Sequence, residues 1–162
     1  MSEEAREAFL ERFTAGTDVD ITKVIHMDME VVDNHSLIGF CVMGGIFSEG
    51  IDLKNDSLIG VIVVGTGIPQ VCSEREILKA YFDESGENGF DYAYRYPGMN
   101  KVLQAAGRVI RTETDTGIVA LLDERFLQSG YSQHFPREWK KFHQIKTNTV
   151  KYELKSFWKK WK

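Results

Sequence analysis

The sequence predicts an α/β domain with a mostly parallel β-sheet flanked by helices, on three observations. Residues 58–65 are apolar throughout and rich in β-branched side chains, the pattern of a strand covered on both faces inside a parallel sheet. Residues 117–122 form a second short apolar run, entered through the turn-like Thr114-Asp-Thr-Gly117. Between them lie segments with helix-start signals and helical spacing, so that strand and helix alternate as parallel pairing requires. At 162 residues and 43% apolar composition, the chain can bury one core.

Each element has its own warrant. Ser2 caps a helix that runs to about Thr14, with Glu3 and Glu4 in its first turn and Phe9, Leu10 and Phe13 on one side. Residues 16–35 read as a loop, with a short strand at 23–27. Residues 37–43 are an apolar run of strand length that ends in Gly44-Gly45, and Cys41 within it reads as a buried small hydrophobe. Ser73-Glu-Arg-Glu76 has capping-box spacing and opens a helix to about Asp83, closed by Gly86 and Gly89. Phe90-Asp-Tyr-Ala-Tyr-Arg-Tyr96 places four aromatics before Pro97, either a packing stripe or a platform for stacked bases. Residues 99–112 read as a helix, and Asp123-Glu-Arg-Phe126 either touches a cleft or caps a helix. Val150, Leu154, Phe157, Trp158 and Trp161 then recur at helical intervals among lysines, as in a closing helix that docks its aromatic stripe. The expected organisation is a single domain: a divergent helix and loop over 1–35, a core over 36–139, and a closing helix within 140–162.

Charge is divided along the chain. Residues 1–100 hold 7 basic and 18 acidic side chains, net −11, and residues 101–162 hold 13 basic and 6 acidic, net +7. A basic half with aromatics among its lysines suits a nucleic-acid backbone, whatever the sign of the whole.

Two segments carry the chemistry. If 99–112 is one helix, Gln104, Arg108 and Arg111 fall at i, i+4 and i+7 and share a face. Guanidinium groups are permanently charged forks of donors that match phosphate oxygens, so a pair of them beside a glutamine suits a polyphosphate. Gly107, before Arg108, lets another backbone or a ligand come close. A solvated helix face with two surface arginines is the plainer account of the same spacing. After the apolar run 37–43, Gly44, Gly45 and Gly50 permit close backbone approach, and Ser48, Glu49 and Asp52 offer a hydroxyl and two carboxylates on a loop. Ligands of open parallel sheets sit at strand carboxyl ends, where this loop falls.

Ser48-Glu49-Gly50-Ile51-Asp52, Gly65-Thr-Gly-Ile-Pro69, Ile77-Leu-Lys-Ala80, Gln104-x-x-Gly-Arg-x-x-Arg111, Thr114-Asp-x-Gly117 and Leu122-Asp-x-Arg-Phe126 occur in that order. Together they resemble the second motor domain of DinG/XPD-like superfamily 2 DNA helicases, over about two thirds of the chain. The resemblance implies a partial RecA-like, P-loop NTPase-like fold, with the Ser-Glu-Gly-Ile-Asp block as helicase motif V and the Gln-x-x-Gly-Arg-x-x-Arg block as motif VI. It implies that Gln104, Arg108 and Arg111 approach ATP across a domain cleft, with Arg108 or Arg111 as an arginine finger and Gly107 beside the nucleotide. Glu49, Gly50 and Asp52 would couple nucleotide to arginines, while Ser48 and Gly45 lie toward a single-stranded DNA track followed 5′ to 3′.

Other chemistry is missing from the sequence. It contains no Gly-x-x-x-x-Gly-Lys-[Ser/Thr] loop and no matching acidic pair for magnesium, so ATP and Mg2+ would be held mainly by a first RecA-like domain of a longer parent. The expectation is a chain cut from that parent, with an open sheet edge and no ATP turnover alone. Cys41 and Cys72 are too few for a four-cysteine cluster, and the four histidines lack close ligand spacing, so no metal site is expected. No membrane-length apolar stretch or cleavable signal occurs, and the expected setting is cytoplasmic, with reduced thiols. Two rival readings use other residues: a non-catalytic nucleic-acid-binding module that holds a strand with the basic half and Tyr92, Tyr94, Tyr96 or Trp161, and a protein-interaction domain built on the sheet edge or on Trp158 and Trp161.

Overall fold

A computed structural model describes residues 4–5, 7–8, 31–32, 36–45 and 58–161. Residues 4–5 and 7–8 are helical, in line with the expected first helix; the expected strand at 23–27 lies outside the described residues. The chain falls into two compact units, Met1–Asp123 and Glu124–Lys162.

In the first unit, β1 (Val31–Val32) pairs antiparallel with β2 (Ser36–Leu37). The strand expected over 37–43 stops at Leu37, and Ile38, Phe40, Cys41 and Val42 are exposed. Cys41 is therefore not the buried hydrophobe that its apolar neighbours suggested. A run of apolar side chains supplies strand propensity but no ladder partner, and among the described residues nothing pairs with 38–43.

The parallel pair is β3 (Gly60–Val64) and β4 (Ile118–Leu122), in register from Gly60 opposite Ile118 to Val64 opposite Leu122. Both strands lie within a residue or two of their expected limits. Their coverage is a correction. Val63 is 2% exposed, but Ile62 and Val64 are 66% and 71% exposed, so the described residues cover β3 on one face rather than two.

Helix α1 (Ser73–Glu84) begins one residue earlier than the capping box implies, because Cys72 rather than Ser73 is the N-cap, and no side-chain cap bond forms. Glu76 is engaged elsewhere: it accepts a hydrogen bond from the buried Tyr94 hydroxyl, which pushes the Tyr94 phenol up to about 12. The helix ends in a Schellman motif. Glu87 N–H donates to Phe82 O, Gly86 N–H donates to Asp83 O, and Gly86 sits at φ +81°, a left-handed position that glycine takes without a Cβ penalty.

A π-helical turn (Asp91–Arg95) leads into α2 (Tyr96–Ala106). Pro97 explains the wide turn. It has no N–H to give Ala93 O, its ring crowds that carbonyl, and Tyr96 N–H reaches back five residues to Asp91 O instead. The orphaned carbonyl is satisfied from outside, by Arg75 Nη1 of α1 at 2.7 Å. Phe82 stacks on Tyr92, with ring centroids 3.9 Å apart, and Tyr94 is buried, so packing, not a base platform, is what this aromatic run does.

Gly98, Met99, Val102 and Ala106 bury one face of α2, which packs against β3. Of these, Met99 and Val102 are each worth about 1.5–3 kcal/mol on full burial. The N-terminal end of α2 crosses the Gly65–Gly67 loop backbone to backbone: a Cβ on Gly98 would stand 2.7 Å from Thr66 O.

The second unit has an aromatic core. Phe126, Tyr131 and Phe135 are buried, and Trp139 and Phe142 meet Phe135 edge-on. Phe126 lies in a 3-10 turn (Glu124–Leu127), followed by the short helix α3 (Ser129–Ser132) and a second 3-10 turn (Arg137–Lys141). Helix α4 (Val150–Trp161) is where helical spacing placed it, but none of its residues is buried, so its aromatic stripe is not packed away as expected.

Candidate nucleotide-facing site

The segment 104–111 begins on α2 and leaves it. Gln104 is exposed on the last turn, Gly107 is the C-cap, and Arg108 and Arg111 lie beyond the helix end at Ala106. The expected helix over 99–112, with three side chains on one face, is thus corrected. Its termination has local causes. Arg108 and Val109 N–H donate to carbonyls three residues back, tightening the turn, and the β-branched Val109-Ile110 pair disfavours another helical turn. Beyond Ile110, Asp115 captures two further donors, with Oδ2 accepting from Arg111 N–H and Thr112 N–H at 2.8 Å each. These two bonds hold the Asp115 carboxyl below its ordinary range.

Gly107 φ is −65°, so it is not needed for a left-handed turn; its Cβ position would meet Leu103 O at 3.2 Å. Val109 is buried against Gly117, which leads into β4 at its amino end. Arg108, half-buried, and Arg111, exposed, therefore lie on the connection entering the amino end of the parallel pair.

The first glycine loop comes close to the same helix. Gly44 sits at φ +77°, and a Cβ on it would stand 3.1 Å from Lys101 Cε, one turn of α2 before Gln104. Gly45 N–H closes a turn onto Val42 O at 3.0 Å. So the structure brings Gly44 and Gly45 beside the helix that carries Gln104. Ser48, Glu49, Gly50 and Asp52, the other residues expected at the site, lie outside the described residues.

Lys101 and Asp115 were not singled out for a role from the sequence. Lys101 could have been found, because it stands three residues before Gln104 and shares its helix face. Asp115 could not have been assigned its acceptor role from spacing alone. Lys101, Gln104, Arg108 and Arg111 offer cationic and amide donors, a set that suits an anion with several oxygens. Among the described residues no group of three or more His, Cys, Asp or Glu is placed to hold a metal ion, and no helix is long and apolar enough to cross a membrane.

Asp115 is predicted to act as a positioning residue for Arg111. In Asp115→Ala, the amide exchange of Arg111 and Thr112 should quicken about tenfold, in keeping with the loss of charge-assisted bonds at a solvent-accessible site. In the unsubstituted chain their protection should be full above the ordinary aspartate range and fade as pH falls through the depressed Asp115 value. Unchanged exchange in the variant would remove Asp115 from this role.

The helicase C-terminal domain family matches residues 1–142. The chain is 36% identical over 91 residues to the ATP-dependent DNA helicase DinG of Photobacterium profundum, covering 55% of this chain and 13% of that protein. It is 32% identical over 145 residues to regulator of telomere elongation helicase 1 of Bos taurus, covering 83% of this chain and 12% of that protein. It is 38% identical over 89 residues to the ATP-dependent DNA helicase chl-1 of Caenorhabditis elegans, covering 54% of this chain and 11% of that protein. The chain thus spans roughly an eighth of the length of these relatives. With the family match over residues 1–142 and a parallel pair flanked by helices, the chain belongs to the helicase C-terminal domain family, in the DinG/XPD-like group.

Proposed function

We propose that this chain is the second motor domain of an ATP-dependent DNA helicase and supplies the trans-acting side of its ATP site. The observation that carries the reading is the cluster of donors around the C-terminal half of α2: Gln104 on the helix, with Arg108 and Arg111 just past its end. This donor set fits the triphosphate; it does not fit Mg2+, which needs oxygen ligands that a first RecA-like domain would provide. Bound Mg2+-ATP supplies the transferable phosphoryl group and part of its charge neutralisation.

The residues of this chain then bind and orient. Arg108 and Arg111 hold the phosphate oxygens whose charge grows during transfer, one of them as the arginine finger. Gln104 positions a water or a phosphate oxygen through its amide. Gly107 keeps the approach to Arg108 open, and Glu49, Gly50 and Asp52 of motif V couple the nucleotide to the arginines. Ser48 and Gly45 face the single-stranded DNA, along which the parent moves 5′ to 3′.

Because the phosphate-cradling loop belongs to the other half, the purified 162-residue chain is expected to show no magnesium-dependent ATP hydrolysis. A polypeptide that joins it to a first motor domain is expected to hydrolyse ATP when single-stranded DNA is added. Gln104→Ala in that polypeptide should lower the stimulated rate about 10²-fold, the usual scale for one positioned polar group. Turnover by the isolated chain, or indifference to the Gln104 substitution, contradicts the proposal.

A further inference from the structure

The second compact unit carries a feature that the ATP site does not use. Residues 124–162 hold 10 basic and 3 acidic side chains, net +7, against −11 for residues 1–123. Helix α4 lies beyond the stretch matched by the helicase C-terminal family. On α4, Lys151, Lys155 and Lys159 recur every four residues, so they form one row, each step rising about 6 Å. The helical period places Trp158 on one side of that row and Tyr152 on the other. All three lysines are exposed, and Tyr152 is 73% exposed.

The aromatic stripe behind the row is differently placed. Phe157 and Trp158 are half-buried and meet edge-on, with ring centroids 5.0 Å apart, while Leu154 and Trp161 are exposed, so the stripe is covered only in part and the lysine row with Tyr152 faces outward. The exposed lysine row flanked by Tyr152 distinguishes among anionic partners. A helix that lies in a membrane interface presents Trp, Phe and Leu to the lipid and turns its charges away. Duplex DNA would meet the lysines but leave the Tyr152 ring with no base face to cover it. A single strand offers both phosphates for the row and open base faces for the ring.

We propose that α4 is a binding site for single-stranded DNA, with Lys151, Lys155 and Lys159 against successive phosphates and Tyr152 stacked on a base. The site uses none of the residues assigned to the ATP reading and does not rest on it, since a chain that never hydrolyses ATP would still bind a strand this way.

The test is fluorescence anisotropy of a labelled oligothymidylate titrated with the full 162-residue chain over a range of salt concentrations. A triple Lys151→Ala, Lys155→Ala, Lys159→Ala variant should bind at least tenfold more weakly at low salt, and its log–log salt slope should be shallower by about 2, as expected when three single-strand phosphate contacts are lost. Alanine favours helix, so α4 should keep its circular-dichroism signal. Tyr152→Ala should weaken binding about tenfold with the slope unchanged, and Tyr152→Trp should restore it. The proposal is overturned if the triple variant binds like the unsubstituted chain or if Tyr152→Ala has no effect. It is equally overturned if a duplex of the same length binds as tightly, or if vesicles of anionic phospholipid take up the chain in preference to the oligonucleotide.

Discussion

Arg111→Ala, made in a polypeptide that joins this chain to a first motor domain, is expected to lower DNA-stimulated ATP hydrolysis by about 10³-fold or more, the range over which arginine fingers act. The same holds for Arg108→Ala if that residue is the finger, and the two measured side by side assign the role. Affinity for single-stranded DNA should change by less than about threefold, because neither arginine belongs to the proposed strand contacts. Lysine should not rescue the true finger: it keeps the charge but loses the planar fork that grips two phosphate oxygens at once. Position distinguishes the two candidates. Arg108 is half-buried in the turn that closes α2, whereas Arg111 is exposed, with its backbone N–H held by Asp115. A fixed backbone and an exposed guanidinium suit a group that must reach across a cleft. Loss of DNA binding with hydrolysis intact would reverse the assignment.

Much of this fold was legible because its signals were local and agreed with one another. Val61 to Val64 are β-branched without interruption, Gly86 follows a helix at the place where a left-handed residue is wanted, and Gly117 precedes an apolar run. The failures came where a periodic pattern ran past a stop signal that only tertiary context activates. Gln104, Arg108 and Arg111 keep helical spacing, but the donors after Ala106 are taken by short-range turn bonds and by Asp115, four residues beyond Arg111. The capping box at Ser73 failed for a related reason: Glu76, its reciprocal partner, is bonded to Tyr94, eighteen residues away. Coverage of β3 was misjudged because hydrophobicity reports what a strand can bury, not what is present to bury it. Of the candidate site, Gln104, Arg108 and Arg111 were singled out by their spacing, and the nearness of Gly44 to Lys101 was not, since no pattern along the chain connects residues 57 positions apart.

The crossing of Gly67 and Gly98 links stability to the placement of these residues, and Gly67→Ala tests the link. Gly67 sits at φ +66°, and a Cβ there would stand 2.7 Å from Gly98 O, a main-chain atom that cannot rotate away. The left-handed backbone costs a residue with a Cβ roughly 1–2 kcal/mol. The overpacked contact adds about 1–3 kcal/mol more. Gly86→Ala provides the comparison, because Gly86 has φ +81° but nothing within 4 Å of its Cβ position, so it carries the first cost alone. Gly67→Ala should therefore lower the thermal midpoint by about 10 °C, and Gly86→Ala by less than half as much. Gly98→Ala approaches the same crossing from the other side, with Thr66 O at 2.7 Å and Ile68 N at 3.0 Å from its Cβ position. Either crossing variant must push the N-terminal end of α2 away from the loop after β3, and α2 carries Lys101 and Gln104 toward the proposed site. Joined to a first motor domain, Gly98→Ala should thus lose hydrolysis even at temperatures where it remains folded, whereas Gly86→Ala should keep it. Equal midpoints for Gly67→Ala and Gly86→Ala would mean that the crossing relaxes freely, and the link between backbone contact and site geometry would fail with it.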